Sequence, residues 1–135
     1  MNNELTVYQQ ESGQEATFLA IRMDSRKYPR LCRMSREEAI GKMYRIVAQA
    51  FLYKGQAADQ NNIQFISTAL VDELLLEDRW GAKYLSIEEI GMIVKSAVLG
   101  EVEMFGISVA SLYKVIIDWV KGEGTRIQEK ANKNK

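Results

Sequence analysis

The chain has no histidine, and that one absence closes several functional classes together. Without imidazole there is no Ser-His or Cys-His nucleophile scheme, no histidine metal ligand and no histidine switch near neutral pH. Cysteine occurs once, at Cys32, which excludes an intramolecular disulfide, a zinc finger and an iron–sulfur cluster. Proline occurs once, at Pro29. No apolar run approaches the roughly 20 residues that cross a bilayer, and no membrane association is expected. The N-terminal MNNELTVYQQ is polar and has no secretory pattern, so the expected compartment is the cytoplasm. No glycine-rich phosphate loop, internal repeat or heptad array is visible, and no cofactor or metal is expected.

Net charge is also missing, with 18 Lys plus Arg against 18 Asp plus Glu. The distribution is uneven. Residues 22–45 carry eight bases against three acids, residues 46–103 four bases against nine acids, and residues 104–135 six bases against three acids. Segregation of this kind suits a surface that meets a partner or pairs with itself.

What is present is helical periodicity. In the stretch from Leu85 to Val120, Ser86 and Glu89 have the spacing of a capping box, in which the serine oxygen and the glutamate each satisfy an amide at the helix start. Ile87, Ile90, Ile93, Val94 and Ala97 then fall on one face. Gly100 is the expected stop. Ser108 caps the next helix, whose stripe is Val109, Leu112, Tyr113, Ile116 and Val120, widened by Val115 and Ile117. Earlier in the chain, Ser12 and Glu15 predict a first helix near residues 13–27, with Phe18, Ile21 and Arg22 at helical intervals, closed before Pro29. Thr17, Leu19, Ile21 and Met23 also suit a short strand. Ser35 and Glu38 open a helix through Met43, Val47 and Phe51 to about Tyr53, closed by Lys54-Gly55. Asn61 or Asn62 is expected to cap a helix on which Ile63, Ile66, Leu70, Val71 and Leu74 form a broad face. Phe65 and Leu76 lie partly outside that face, which implies a central helix. Glycines at 122 and 124 and the run TRIQEKANKNK predict a frayed tail. The expectation is an all-α compact bundle of about five helices around one core. A single helical domain would span 1–120, with a loose arm at 1–11 and a flexible basic tail at 121–135.

Several groups admit a functional reading beside an ordinary one. The basic run from Arg22 to Arg45, interleaved with Tyr28 and Tyr44 and with Arg26, Lys27, Arg30, Arg33 and Arg36 as its candidate contacts, has the chemistry to track a phosphate backbone, with arginine forks on phosphates and an aromatic on a base. The ordinary reading pairs it with the acids of residues 72–78. Asp72, Glu73, Glu77 and Asp78 could serve acid–base chemistry or magnesium. They also read as a solvated helix end, compensated by Arg79 or Lys83 against the helix dipole. Trp119 falls on the buried stripe. Trp80, in a loop beside Gly81, is the better partner anchor.

At Phe105 to Ile116 the chain resembles the turn and recognition helix of the helix-turn-helix family, through Gly106, Ile107, Ser108, Ser111, Leu112 and Tyr113. That resemblance implies that Ser111 and Lys114 reach the major groove. A core helix with a serine cap explains the same residues. Two further segments, Cys32-x-x-Ser35-x-x-Glu38-Ala39-Ile40 and Leu85-Ser86-x-x-Glu89-Ile90 to Gly100 followed by Phe105-Gly106 and Ile117-x-Trp119, are similar to uncharacterised helical proteins of Bacteroides-type genomes and their phages or mobile elements. This implies an accessory protein, with no catalytic residues to carry over. The leading expectation is a non-enzymatic binding or assembly module in phage or mobile-element DNA metabolism, taking a protein partner or nucleic acid. The alternatives are a structural protein that self-associates through an apolar helix face and, third, a carboxylate-dependent enzyme.

Overall fold

The computed structural model describes residues 15–101, 104 and 106–134. Its architecture is all-α, with helices packed on one another and no strand among the described residues. Helix α1 is described over residues 15–23, with Phe18 and Ile21 buried. It stops at Asp24, earlier than the expected end near residue 27, because a turn forms there. The Tyr28 amide donates to the Asp24 carbonyl and the Lys27 amide to the Asp24 carboxylate. Ser12, the expected cap, lies outside the described residues.

Helix α2 (Arg36–Lys54) begins at Ser35, whose hydroxyl accepts from the Glu38 amide, and ends at Gly55 in the left-handed conformation that glycine adopts without strain. Helix α3 (Gln60–Leu74) is capped by Asp59, which accepts from the Asn62 amide. The cap therefore precedes the asparagines expected in that role. Phe65 is 66% exposed on α3. Lying outside the apolar face means facing solvent there, and does not mark a helix surrounded on all sides. The packing side of α3, with Ile63, Ile66, Leu70, Val71 and Leu74, meets α2 and α5.

Helix α4 (Ile87–Ser96) carries the full Ser86–Glu89 capping box, and all five residues of its predicted stripe are buried. A π-helical turn over Ala97–Glu101 follows, with Gly100 at φ 97°. Helix α5 (Val109–Trp119) starts from a second box made by Ser108 and Ser111. Two contacts from the end of α2 seat that start: the Lys54 ammonium donates to the Met104 carbonyl at 2.7 Å, and the Gln56 side chain accepts from the Ile107 amide at 3.0 Å.

The C-terminal part differs from the frayed tail read in the sequence. A second π-helical turn, Val120–Gly124, joins α5 to helix α6 (Thr125–Lys133) with right-handed helical backbone at Trp119, Val120, Gly124 and Thr125. Ile127 and Ala131, four apart, are both buried. The Lys130 ammonium and the Arg126 guanidinium both lie against Glu15 of α1. Two apolar side chains in an otherwise polar run suffice because they fall on one face, against an existing surface.

Candidate functional site

Arg22 is in helical phase with Phe18 and Ile21, so α1 turns it toward the interior along with them. There it meets Glu89, whose residue is fully buried at the first turn of α4. The contact is bidentate: Arg22 Nη2 donates to Glu89 Oε1 at 2.8 Å, and Nε to Oε2 at 3.2 Å. The rest of the Arg22 fork donates to the Tyr84 carbonyl. Glu89 Oε1 also accepts from the amide and the hydroxyl of Ser86, so the carboxylate closes the capping box and neutralises Arg22 at once.

Arg30 is the second guanidinium at this point. The segment after Pro29 docks on the segment before α4: Arg30 and Ser86 form an isolated antiparallel bridge, and the Leu31 amide donates to the Leu85 carbonyl at 2.7 Å. That docking brings Arg30 Nη2 onto the Arg22 carbonyl at 2.6 Å. Arg30 Nη1 stands 4.0 Å from Glu89 Oε1 and is buried without a hydrogen-bond partner. Burial, and then the neighbouring Arg22 charge, hold the Arg30 pKa below its ordinary value. Two guanidinium groups thus share one carboxylate, and their side chains are only 9% and 18% exposed.

Above the two arginines lies an open groove of about 520 Å³, lined also by Trp80, Tyr84, Trp119 and the inner side of α6. Trp119 is partly buried, its ring 4.8 Å from that of Phe18. A side chain at position 124 would place its Cβ 2.7 Å from the Trp119 ring, so the second π turn needs glycine there for the indole to lie across it. Trp80 is 65% exposed and has φ 57°. Left-handed backbone at a bulky residue is a true outlier. The Lys121 ammonium stands 4.6 Å from the centre of its ring.

The other residues singled out in the sequence separate. Arg26 and Arg33 are exposed, and Lys27 lies over the Tyr28 ring at 5.4 Å. Arg36 is engaged by Asp72 through both of its fork nitrogens at 2.8 Å, which holds the Asp72 carboxyl below its ordinary pKa. Glu73 and Asp78 pair with Arg79, and Glu77 with Lys83, the cations expected to offset that helix end. Ser111 is occupied by the cap of α5 and donates to the Gly106 carbonyl at 2.7 Å. Lys114 pairs with Asp118 one turn on. Of the eight residues named as candidate contacts, the structure brings Arg30 and Trp80 to one groove.

Sequence reasoning placed Arg22 in the basic run but missed its pairing with Glu89, and it missed Tyr84, α6 and the second role of Glu89. The available signal was an arginine in phase with the apolar face of α1. Among the described residues no cluster of acid or cysteine side chains is arranged to hold a metal ion, and no helix is long and apolar enough to cross a membrane. No family model, curated protein or solved structure matches the chain.

Proposed function

We propose that the chain is a non-enzymatic binding module and that the groove beneath Trp80 is its binding surface. The observation that carries this reading is Trp80 itself. An indole that is mostly in solvent does not repay left-handed backbone through packing, and strain of this kind is kept where a site uses it. The reading is supported by the acids of residues 72–78, each of which faces a cation and none of which lines the groove. Glu129 is the acid in the groove lining, with no second carboxylate beside it there among the described residues, so carboxylate-dependent catalysis ranks third. The proposal extends to an accessory role in phage or mobile-element DNA metabolism with a protein or nucleic-acid partner, a setting that rests on the sequence resemblance alone.

Self-association is the second reading, because Leu52, Phe65 and Leu99 are large, apolar and more than half exposed. Size-exclusion chromatography with light scattering, on the chain alone and with labelled single- and double-stranded oligonucleotides, separates the two. A monomer that carries a labelled oligonucleotide to earlier elution, less so as Trp80→Asn, supports the module. A concentration-dependent oligomer indifferent to oligonucleotide and to Trp80→Asn transfers the assignment to self-association.

A further inference from the structure

Helices α4 and α6 are of nearly equal length and are held in different ways. Five of the ten residues of α4 are buried, whereas α6 buries two of nine, Ile127 and Ala131. An isolated helix shorter than about 12 residues is marginal in water, so α6 owes its form to that narrow contact.

Its two flanks add little. On one, the Lys130 ammonium stands 2.5 Å from a Glu15 carboxylate oxygen and the Arg126 guanidinium 4.0 Å from the same oxygen, with both cations about half exposed. Ion pairs of this kind are weak and are screened by salt. On the other flank Thr125, Gln128, Glu129 and Asn132 line the open groove of about 520 Å³, so that side of α6 meets open space instead of packed side chains.

The joint to α5 is equally slight. Gly122 and Gly124 both fall in the π turn, and glycine and π geometry each disfavour a stiff helix. A Cβ at position 122 would meet no neighbouring atom within 4 Å. Lys121, on the near side of both glycines, stands over the Trp80 ring and ties the turn to the body there. The chain therefore has a fixed point at Lys121, a soft joint directly after it and a lightly held helix beyond.

We propose that α6 is a displaceable strap, which leaves the body as one unit about Gly122 and Gly124, with the ion pairs to Glu15 as its latch. Ile127 and Trp119 both line the groove, so departure of α6 joins the groove to the apolar surface beneath Ile127 and enlarges the face open to a partner. Ionic strength sets how often this happens. The strap is a property of the fold and stands whatever the groove binds.

Residue-resolved amide hydrogen exchange of the full chain, followed by NMR at about 20 mM and about 500 mM NaCl, tests it. Amides of residues 127–133 are expected to share one level of protection, about 100-fold or more below that of α3, because one opening exposes them all. High salt and Glu15→Gln should each lower that level about threefold relative to α3, without adding to each other. Gly122→Ala should raise it about threefold by stiffening the joint. Protection equal to that of α3 overturns the proposal, as does a Gly122→Ala variant no better protected than the parent. So does a gradient that fades toward Lys133 and ignores Glu15→Gln, the mark of end fraying. A uniform level that neither salt nor Glu15→Gln moves removes the latch, and the proposal falls with it.

Discussion

Helix α4 starts with Ser86 and Glu89, and helix α5 starts with Ser108 and Ser111. In each pair the first serine accepts from the amide three residues on, and the later side chain returns a bond to the first amide. The two starts nevertheless sit in different surroundings. Ser86 and Glu89 are fully buried, and the carboxylate that completes the cap also holds Arg22 across a separation of 67 residues. The α5 pair is neutral, and its contacts reach no further than the Gly106 carbonyl and the pair itself. A local device that costs little to build can thus remain local, or it can become the point where distant segments are tied together. What decides is whether its acceptor carries charge and is taken out of water.

The contrast breaks most easily at Glu89. Glu89→Ala removes half of a cap and leaves the nearly buried Arg22 guanidinium without its carboxylate, an arrangement that costs about 3–5 kcal/mol. Chemical denaturation measures it, and a loss below about 1 kcal/mol would show that the pair is not a tie between α1 and α4. Ser86→Ala should come next at about 0.5–2 kcal/mol, since the ion pair survives the loss of the hydroxyl. A serine variant as damaging as the glutamate variant would mean that capping dominates. Ser111→Ala on the exposed box should cost about 0.5 kcal/mol, the low end for a solvent-accessible bond. Equal losses at 86 and 111 would erase the distinction between the two starts.

The surface pairs away from both boxes set the lower limit. Hydrogen bonds from Lys130 and Arg36 hold the Glu15 and Asp72 carboxyls below their ordinary pKa values. The folded chain therefore binds fewer protons than the unfolded one in the acid range. That contribution is complete above the unfolded carboxylate pKa of about 4 and is lost as pH falls through the lower folded values. Both pairs are exposed, so the expected effect is small, about 0–1 kcal/mol each. Unfolding free energies measured between neutral and acid pH should fall less steeply in a Glu15→Gln, Asp72→Asn double variant. An unchanged acid slope would show that neither pair persists in solution.

Much of the fold was legible because it is written in local signals. Ser35, Ser86 and Ser108 announced three helix starts, Gly55 a stop, and the residues of the α4 stripe their own burial. Leu70 and Ile116, placed on apolar faces by periodicity alone, are fully buried. The candidate site was much less legible, since it depends on contacts between segments far apart in the chain. Nothing around Arg22 specifies Glu89 as its partner, and nothing around Pro29 specifies that Leu31 docks on Leu85. Trp80 attracted attention as a loop indole, but its backbone conformation is a tertiary fact. Helix α6 escaped notice because the glycines and the charged run read as a breaker and a tail. The surface that receives Ile127 and Ala131 exists only once the other helices have assembled.

The wide turn over Val120–Gly124 makes the C-terminal rod sensitive to length in a way its polar composition conceals. A π turn takes up more residues than the α turn it replaces, and it thereby resets the rotational phase of everything beyond it. Helix α6 consequently presents Ile127 and Ala131 at an angle that a plain continuation of α5 would miss. Shortening the chain by one residue at Gly122 would rotate α6 by about 100° and draw it in by about 1.5 Å. The inner wall of the groove would turn toward solvent with every side chain of α6 still present. The spacing between Trp119 and Ile127 therefore matters as much as the identity of either residue.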